Sequence, residues 1–410
     1  MPSFFESFRG YRLSKFTALT TVVCVAATLQ GCQDGGGLFP SFEKKTQDLR
    51  PPLHQRAGDL VQKWGKPRRM LLGLGGGSPV SSLQSQGISV DIYEHYLVGL
   101  GQANHSWEKW NSPSGAFVGL FAAQADQMGA VPMFTLYQMA TWGDGNLSGL
   151  QDKNFMTLYW DNVRLMYRQI KAFGKPTLVN FEPDFWGYAQ LDRGNQGTKV
   201  AKRQFAHVPS ANPDCANLPD SVAGMGQCLV QMARALAPNA YIGFPPSMWG
   251  FASSDEIAFL KEVGAEKADF VVMQTLDRDA GCFEATYIEE DALCNRPSKE
   301  PYWWDATNQT TPSFASHFKQ ARQFHEGLGL PLVWWQTPLG VPTATPGGRR
   351  TVFRDNRAHY FLTKSQELVA VGAAAAVFSQ GHTTQTNIDT DGGQFKRLSH
   401  GYLSAPTTLP

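Results

Sequence analysis

The sequence predicts an α/β protein, a single (β/α)8 TIM barrel, from three observations. Eight short apolar runs lie between Met70 and Phe378, and a longer amphipathic run separates nearly every pair. The short runs are apolar at successive positions, as parallel strands are when helices cover both faces of their sheet. Alternating strands and helices close either as an open doubly wound sheet or as a barrel, and the count of eight favours the barrel.

The first half of the predicted barrel is defined by apolar spacing and by the residues that stop each run. The first strand leads into a glycine turn, and the second rests on the segment Tyr-Glu-His-Tyr-Leu-Val-Gly. The long helix before the fourth strand ends where Gly174 and Pro176 prevent its continuation. The predicted strands are 70–74, 93–100, 131–137 and 177–181, with helices at 115–128 and 153–173.

The second half repeats this alternation. Asp220 is predicted to cap the helix that it begins, and Ser254 and Asp255 start the next helix. The predicted strands are 240–244, 269–274, 332–335 and 373–378, with helices at 220–236, 254–263, 312–327 and 355–369. The loops after the fourth and sixth strands are long, whereas the turns 174–176 and 327–331 on the other rim are short. This asymmetry predicts a site at the C-terminal face of the barrel.

The N-terminal segment is predicted to lie outside the barrel. Arg9, Arg12 and Lys15 precede an apolar run at 16–27, which suits a secretory signal. The segment Leu29-Gln30-Gly31-Cys32 resembles the bacterial lipobox, which implies lipidation of Cys32 and, because Gln33 follows, an outer-membrane location. The alternative is an ordinary cleaved signal with Cys32 uninvolved. The predicted divisions are a signal peptide at 1–31, a flexible tether and N-terminal segment at 32–66, and the barrel at 67–410.

Four cysteines remain if Cys24 belongs to the signal and Cys32 is lipidated. An even number of cysteines in an exported chain predicts disulfides. Three pairings are open, of which the local one closes two short loops of similar size: Cys215–Cys228 and Cys282–Cys294. Zinc is the rival, but the cysteines lack the close CxxC spacing of structural zinc sites.

Composition and motifs exclude several classes of function. The formal net charge of +1 and the lack of a Lys/Arg run give no electrostatic basis for binding nucleic acid. The glycine turn at 73–78 lacks both the Walker lysine and GxGxxG spacing. The segment 387–392 begins like a calcium loop, but Leu398 stands where an EF-hand needs a bidentate Glu. We therefore expect no cofactor and no metal, and we expect a monomer.

The segment 177–188 carries the strongest functional signal. An apolar strand ends in Glu182, Pro183 and Asp184, and aromatic rings follow at Phe185, Trp186 and Tyr188. Carboxylates are costly inside a strand but belong at the mouth of a barrel. Aromatic rings beside an acid suit a sugar, whose C–H faces stack on flat apolar surfaces. The alternative is a strand end with a solvated Glu.

This segment and the predicted strand order resemble the barrel glycoside hydrolases, many of which place their general acid at the end of strand four in an Asn-Glu-Pro context. Here the order is Asn180-Phe181-Glu182-Pro183, with one residue inserted. The resemblance implies Glu182 as the acid/base. Asp184 then orients Glu182, raises its pKa as a like charge, or is solvated.

The chain departs from this family at strand seven, where the large retaining group carries a nucleophilic Glu. Gln336 stands at the strand end instead, beside Trp335. An amide is no nucleophile but can bind a sugar hydroxyl. Asp277, after strand six, is the leading second carboxylate. The alternative for Asp277 and Asp279 is an ion pair with Arg278 that only holds the loop.

The remaining strand-end residues are predicted to bind substrate as a set, although any one of them can instead be packing. Eleven tryptophans and twelve tyrosines, many near strand ends, favour an aromatic-lined cleft. The rival function is a barrel lipoprotein that binds glycan without cleaving it, which the missing strand-seven acid supports. A redox or metal enzyme would require the four cysteines to converge. The predicted binding residues are Tyr137, Gln138, Trp142, Trp186, Trp249, Asp279, Trp335, Gln336, His382 and Asp391, with Glu94, His95 and Gln380 nearby.

Overall fold

The structure is a computed structural model that describes residues 51–75, 77–101, 105–195, 200–248, 251–284, 294, 302–343 and 349–410. Residues 52–410 form one compact unit. The predicted signal segment, Cys32 and Trp249 lie outside the described residues. Among the helices that the structure describes, none has the length and apolar character needed to cross a bilayer.

Eight parallel strands close into a barrel in chain order, which confirms the predicted fold. Three of the strands have the predicted bounds, and the other five differ by at most two residues at either end. The strands are β1 (Leu71–Gly75), β2 (Ile92–Val98), β3 (Val131–Tyr137), β4 (Thr177–Phe181), β5 (Ala240–Phe244), β6 (Phe270–Gln274), β7 (Leu332–Thr337) and β8 (Ala373–Ser379).

Helices surround the barrel, and their ends follow local capping chemistry. The longest, at 153–173, begins where the Asp152 side chain accepts from the amides of Asn154 and Phe155, and it ends at left-handed Gly174. The helices are α1 (Arg56–Lys63), α2 (Val80–Gln86), α3 (Ala116–Gln127), α4 (Lys153–Phe173), α5 (Phe185–Asn195), α6 (Val222–Leu236), α7 (Ser253–Glu262), α8 (Ala280–Glu284), α9 (Phe314–Leu328), α10 (Arg357–Thr363), α11 (Ser365–Val369) and α12 (Gln394–Ser404).

Two helix predictions are wrong in detail. Ser221, not Asp220, caps α6, because its hydroxyl accepts from the Gly224 amide. The Asp220 carboxylate accepts instead from the Val208 amide at 2.6 Å and holds the preceding loop. The single helix predicted at 355–369 is two helices, α10 and α11, because the backbone leaves helical geometry at Lys364 (ψ 34°).

Register decides which side chains face the barrel interior. Thr135 of β3 pairs with Asn180 of β4, and their side chains are hydrogen-bonded on the same face. The Trp335 indole of β7 reaches the Glu94 carboxylate of β2 across two intervening strands, so both side chains lie inside. The next residue along β7, Trp334, points outward and packs on the rings of α9 and α10. The upper interior of the barrel is therefore polar.

Helix α1 and the residue that follows it pack against the N-terminal end of the barrel. The Trp64 ring lies 6.1 Å from the Tyr241 ring and 5.9 Å from the Phe270 ring, both in edge-on contact. Leu60 and Val61 of α1 are buried. The compact unit therefore begins ahead of residue 67, where we placed the start of the barrel.

Two disulfides have the predicted local pairing, Cys215–Cys228 and Cys282–Cys294. Each lies in the long segment that follows a strand, β4 for the first pair and β6 for the second. The four cysteines are thus bonded in two separate places, so the zinc alternative and the convergence that a cysteine-based redox or metal centre requires are both contradicted.

Truncation of Trp64 tests its role at the end of the barrel. Because the ring is 2% exposed, Trp64→Ala should lower the free energy of unfolding by about 3–5 kcal/mol, as measured by denaturant titration. The matched control is Trp142→Ala. That ring is 45% exposed, and its loss should cost less than about 1 kcal/mol. Equal costs for the two truncations would show that Trp64 does not support the core.

Candidate active site

The C-terminal mouth of the barrel is built around three aromatic rings from β2, β3 and β7. The Tyr96 ring lies 6.0 Å from the Tyr137 ring and 5.6 Å from the Trp335 ring. The two tyrosines are half-buried and Trp335 is 2% exposed. The tyrosines therefore form the accessible aromatic surface, and Trp335 lies beneath them.

Three carboxyl groups from three different loops act on the two tyrosines. The Tyr137 hydroxyl donates to Asp144 at 2.5 Å. Burial raises the pKa of Tyr96, and the charges of Asp184 and Asp277 raise it further, so both carboxylates lie within electrostatic reach of this ring. Burial likewise raises the pKa of Asp144, the Tyr137 hydrogen bond lowers it, and the Asp277 charge raises it.

A chain of hydrogen bonds forms the floor beneath the rings. The Thr135 hydroxyl donates to the Glu94 carboxylate at 2.7 Å, and the Asn180 amide group donates to the Thr135 oxygen at 3.4 Å. The Trp335 indole donates to the same Glu94 oxygen at 3.4 Å. Gly75 is required beside this carboxylate, because a Cβ there would lie 2.2 Å from a Glu94 oxygen.

The backbone is strained at the ends of two strands on this face. Glu182 and Asp184 after β4, and Gln336 in β7, have φ values of +48°, +65° and +53°. Residues other than glycine seldom adopt this left-handed backbone conformation, and such strain concentrates at functional sites. At Gln336 it brings the amide oxygen to the Gln274 side chain at 2.7 Å, so the predicted binding residue at the end of β7 does lie at the mouth.

Glu182 does not face the mouth, contrary to the prediction from the sequence. Continued alternation from Asn180 would point Glu182 inward, but its left-handed backbone turns the side chain out toward α4. The carboxylate is 0% exposed and accepts from the Gln138 and Met139 amides, both at 3.0 Å. Burial raises its pKa to about 8, and the two amides and the nearby Tyr159 hydroxyl lower it. In this position Glu182 fixes the start of the loop after β3 and does not contact the mouth.

Two further predicted binding residues lie in the helical layer. The Gln138 side chain is buried and accepts from Trp107 at 2.9 Å and from Asn162 of α4 at 3.1 Å. Trp186 is 1% exposed, donates to the Phe181 carbonyl at 2.9 Å, and packs on the Phe244 ring. Both support the loops after β3 and β4 from outside the barrel, so neither contacts a ligand at the mouth.

Asp279 and Asp391 also hold loops in place and are not exposed to a ligand. The Asp279 carboxylate accepts from the Gly340 amide at 2.8 Å and the Thr386 amide at 2.9 Å, which joins the loops after β6, β7 and β8. The Asp391 carboxylate accepts from the amides of Gly393 and Phe395 at the start of α12. Burial raises the pKa of both groups, and the Asp355 charge adds to the shift at Asp279.

Asp277, Trp142 and His382 remain at the rim. Asp277 is ion-paired with the buried Arg278 guanidinium at 2.9 Å, yet its side chain is 33% exposed. Trp142 packs one side on Phe155 and exposes the rest. His382 follows Gly381, which lies against the Asp277 carbonyl so closely that a Cβ would be 2.1 Å from the oxygen. The ion pair of Asp277 with Arg278, which the sequence offered as the alternative, is thus observed, and Asp277 nevertheless stays partly exposed at the rim.

A small groove with room for about one water molecule lies between the loops after β3 and β4. It is lined by Asp144 and Asp184 together with the aromatic rings of α5, and the full lining is Met139, Ala140, Asp144, Gly145, Asn146, Leu147, Pro183, Asp184, Phe185 and Tyr188. Asp144 and Tyr96 were not predicted as site residues from the sequence. The only signal for Asp144 is a Gly-Asp-Gly turn shortly after a strand end, which is common in loops without function.

No protein-family model matches the chain, and no curated protein matches it significantly. Among solved structures, a β-mannanase from a symbiotic protist of the termite Reticulitermes speratus, in complex with a gluco-manno-oligosaccharide, is 11% identical. The alignment covers 86% of this chain and 91% of the mannanase chain, with a TM-score of 0.47. A fungal β-1,4-galactanase is 9% identical over 78% of this chain and 94% of its own, with a TM-score of 0.44.

A third structure, the GH26 domain of a Prevotella bryantii endo-β-mannanase/endo-β-glucanase, is 9% identical. The alignment covers 83% of this chain and 93% of the GH26 domain, with a TM-score of 0.44. These proteins share a distantly similar barrel with this chain. At such identities and scores the likeness concerns the fold alone, and the chemistry of the mouth has to be argued from its own residues.

The buried Glu182 carboxyl should make stability depend on pH. Between pH 4.5 and about 8 the folded protein keeps a proton that the unfolded chain has released, so rising pH favours unfolding. The Glu182→Gln variant keeps a side-chain oxygen that can accept hydrogen bonds from the Gln138 and Met139 amides, and it removes the titrating carboxyl group. Its plot of unfolding free energy against pH should be less steep, by up to about 1.4 kcal/mol per pH unit. Denaturant titrations across this range measure both slopes, and equal slopes would contradict a buried protonated carboxyl.

Proposed function

We propose that this protein is a carbohydrate-active, glycoside hydrolase-like enzyme that acts on a poly- or oligosaccharide outside the cytoplasm. One observation carries the proposal: carboxyl groups from three loops converge with two half-buried tyrosine rings at the mouth of the barrel. Glycoside hydrolysis needs two carboxyl groups on either side of the scissile bond, and sugar rings stack on aromatic side chains. The distant resemblance seen in the sequence points to the same chemistry.

The proton donor in this proposal is Asp144 rather than Glu182. A general acid has to reach the glycosidic oxygen, and Glu182 is enclosed between backbone amides and α4. Asp144 lines the groove, and its pKa is raised overall, because burial and the Asp277 charge outweigh the lowering by the Tyr137 hydrogen bond. The Tyr137 hydroxyl holds it in place.

The second carboxylate in this proposal is Asp277, and Asp184 acts on the same Tyr96 ring. Asp277 is partly exposed and held by Arg278, and its charge acts on both Asp144 and Tyr96. The separation of the two reacting carboxyl groups determines the outcome. About 5 Å implies a covalent intermediate and retention, whereas roughly 6.5–9.5 Å leaves room for a water and implies inversion.

The rival is a barrel that binds glycan without cleaving it. Two observations favour it: Gln336 and Thr337 stand at the C-terminal end of β7 where a carboxylate would be needed, and the Glu that follows β4 is buried away from the mouth. In that case the tyrosines and acids would bind sugar rings and hydroxyls, and no substitution would change a turnover rate.

Matched amide substitutions distinguish these possibilities. With a panel of polysaccharides and the full-length protein in detergent, Asp144→Asn and Asp277→Asn should each lower kcat/KM by about 100-fold or more. Glu182→Gln should stay within about threefold of the unmodified enzyme, because its carboxyl does not act on substrate. Loss of turnover in Glu182→Gln alone would return the proton-donor role to Glu182. Glycan binding without released sugar by the unmodified protein would establish the rival.

We further propose that the chain is exported and anchored to the cell envelope, in the outer membrane if the host is Gram-negative, through an acyl chain on Cys32. The lipobox-like segment and the two disulfides, which suit an oxidising compartment, support this proposal. Metabolic labelling with a palmitate analogue should mark the protein, and Cys32→Ser should remove the label and release the protein from the membrane fraction. An unlabelled chain that is cleaved elsewhere would favour an ordinary signal peptide.

A further inference from the structure

The mouth of the barrel is acidic although the whole chain is almost neutral. The chain carries 36 Lys and Arg residues against 35 Asp and Glu residues. Four carboxyl groups act on the ring cluster at the mouth, namely Glu94, Asp144, Asp184 and Asp277, and Arg278 is the one cation that acts on Tyr96 among the described residues. That guanidinium is 1% exposed and already bound to Asp277. The excess of acid is therefore local to the site.

A local excess of carboxylate costs free energy in a half-buried site. Like charges close together disfavour ionisation, and removal from water disfavours it further. The pKa of Asp144 is raised by both causes, burial first and the Asp277 charge second. A positively charged group bound among these carboxylates would relieve both effects, whereas a neutral ligand would relieve neither and an anionic ligand would be repelled.

The floor of the mouth provides a second, independent observation, namely one buried acceptor without a hydrogen-bond partner among the described residues. The Thr135 hydroxyl gives its only proton to Glu94, so its oxygen has to accept from the Asn180 NH2 group. This leaves the Asn180 carbonyl oxygen as an acceptor. Asn180 is 0% exposed, and this oxygen has no hydrogen-bond partner among the residues that the structure describes. Buried acceptors of this kind are normally satisfied, which points to a ligand that donates.

An ammonium group fits both observations. It carries one positive charge and three N–H donors with no acceptor, while a sugar hydroxyl brings a single donor and no charge. We propose that the sugar bound at this mouth is an amino sugar with a free amine, as in a de-N-acetylated hexosamine polymer. This inference rests on the proposed action on carbohydrate and names its substrate class.

Matched oligosaccharides that differ only at the nitrogen test the inference. Oligomers of glucosamine and of galactosamine, each with and without the N-acetyl group, are titrated against the full-length protein in detergent, at mildly acidic pH where the amine is charged. The free-amine form should bind about tenfold more tightly than its N-acetylated partner, and added salt should weaken only the free-amine form.

Charge-removing variants locate the effect. Asp184→Asn and Asp277→Asn should each reduce the preference for the amine severalfold while binding of the N-acetylated form changes little. The control is Asp126→Asn, which removes one charge at the other end of the barrel, where Asp126 pairs with exposed Lys175 at 2.7 Å. It should leave the preference intact.

Three results would overturn the inference. If the N-acetylated or neutral oligosaccharides bind as tightly as the amines, the substrate class is wrong while action on carbohydrate stands. If Asp126→Asn lowers the preference as much as Asp184→Asn does, the preference reflects overall charge and not this site. If no sugar of any class binds, the proposed function fails together with the inference.

Discussion

Closure of the eight parallel strands is the constraint on which the rest of this structure depends. Closure fixes, for each strand, which side chains face the interior, and it brings residues far apart in the chain to one mouth. Glu94 and Trp335 are hydrogen-bonded across the interior although 241 positions separate them. The polar floor, the ring cluster above it and the three rim carboxyl groups are all consequences of this geometry.

Acidic side chains on the upper face fall into two groups. Glu182, Asp279 and Asp391 are buried, and their side chains accept hydrogen bonds from backbone amides. Each of them therefore holds a loop in place. Asp144, Asp184 and Asp277 lie around the tyrosine rings and are partly exposed. The first group gives the loops their rigidity, and the second group forms the chemical surface that those rigid loops hold together.

Most of the architecture could be predicted from the sequence, because strand and helix periodicities are local. The bounds of β3, β4, β5 and α4 match the prediction, and the disulfides have the local pairing, which was one of three that the sequence left open. The site was harder to predict. Asp277, Gln336 and Tyr137 were predicted from their places at strand ends, and the structure places them on the same face of the barrel, but Asp144 lies in a loop with no periodic signal. Tyr96 lay within a strand prediction that ran two residues too far at its C-terminal end.

By itself the sequence determined the number and order of the strands, the alternation that makes a barrel, and the strand ends at which polar side chains collect. Only the tertiary structure decided the direction of Glu182. Its residue type and its place after Asn180 suit an inward acid, but a left-handed backbone turns the carboxyl toward the amides of Gln138 and Met139. Those amides belong to the loop after β3, so their position cannot be predicted from the residues around Glu182.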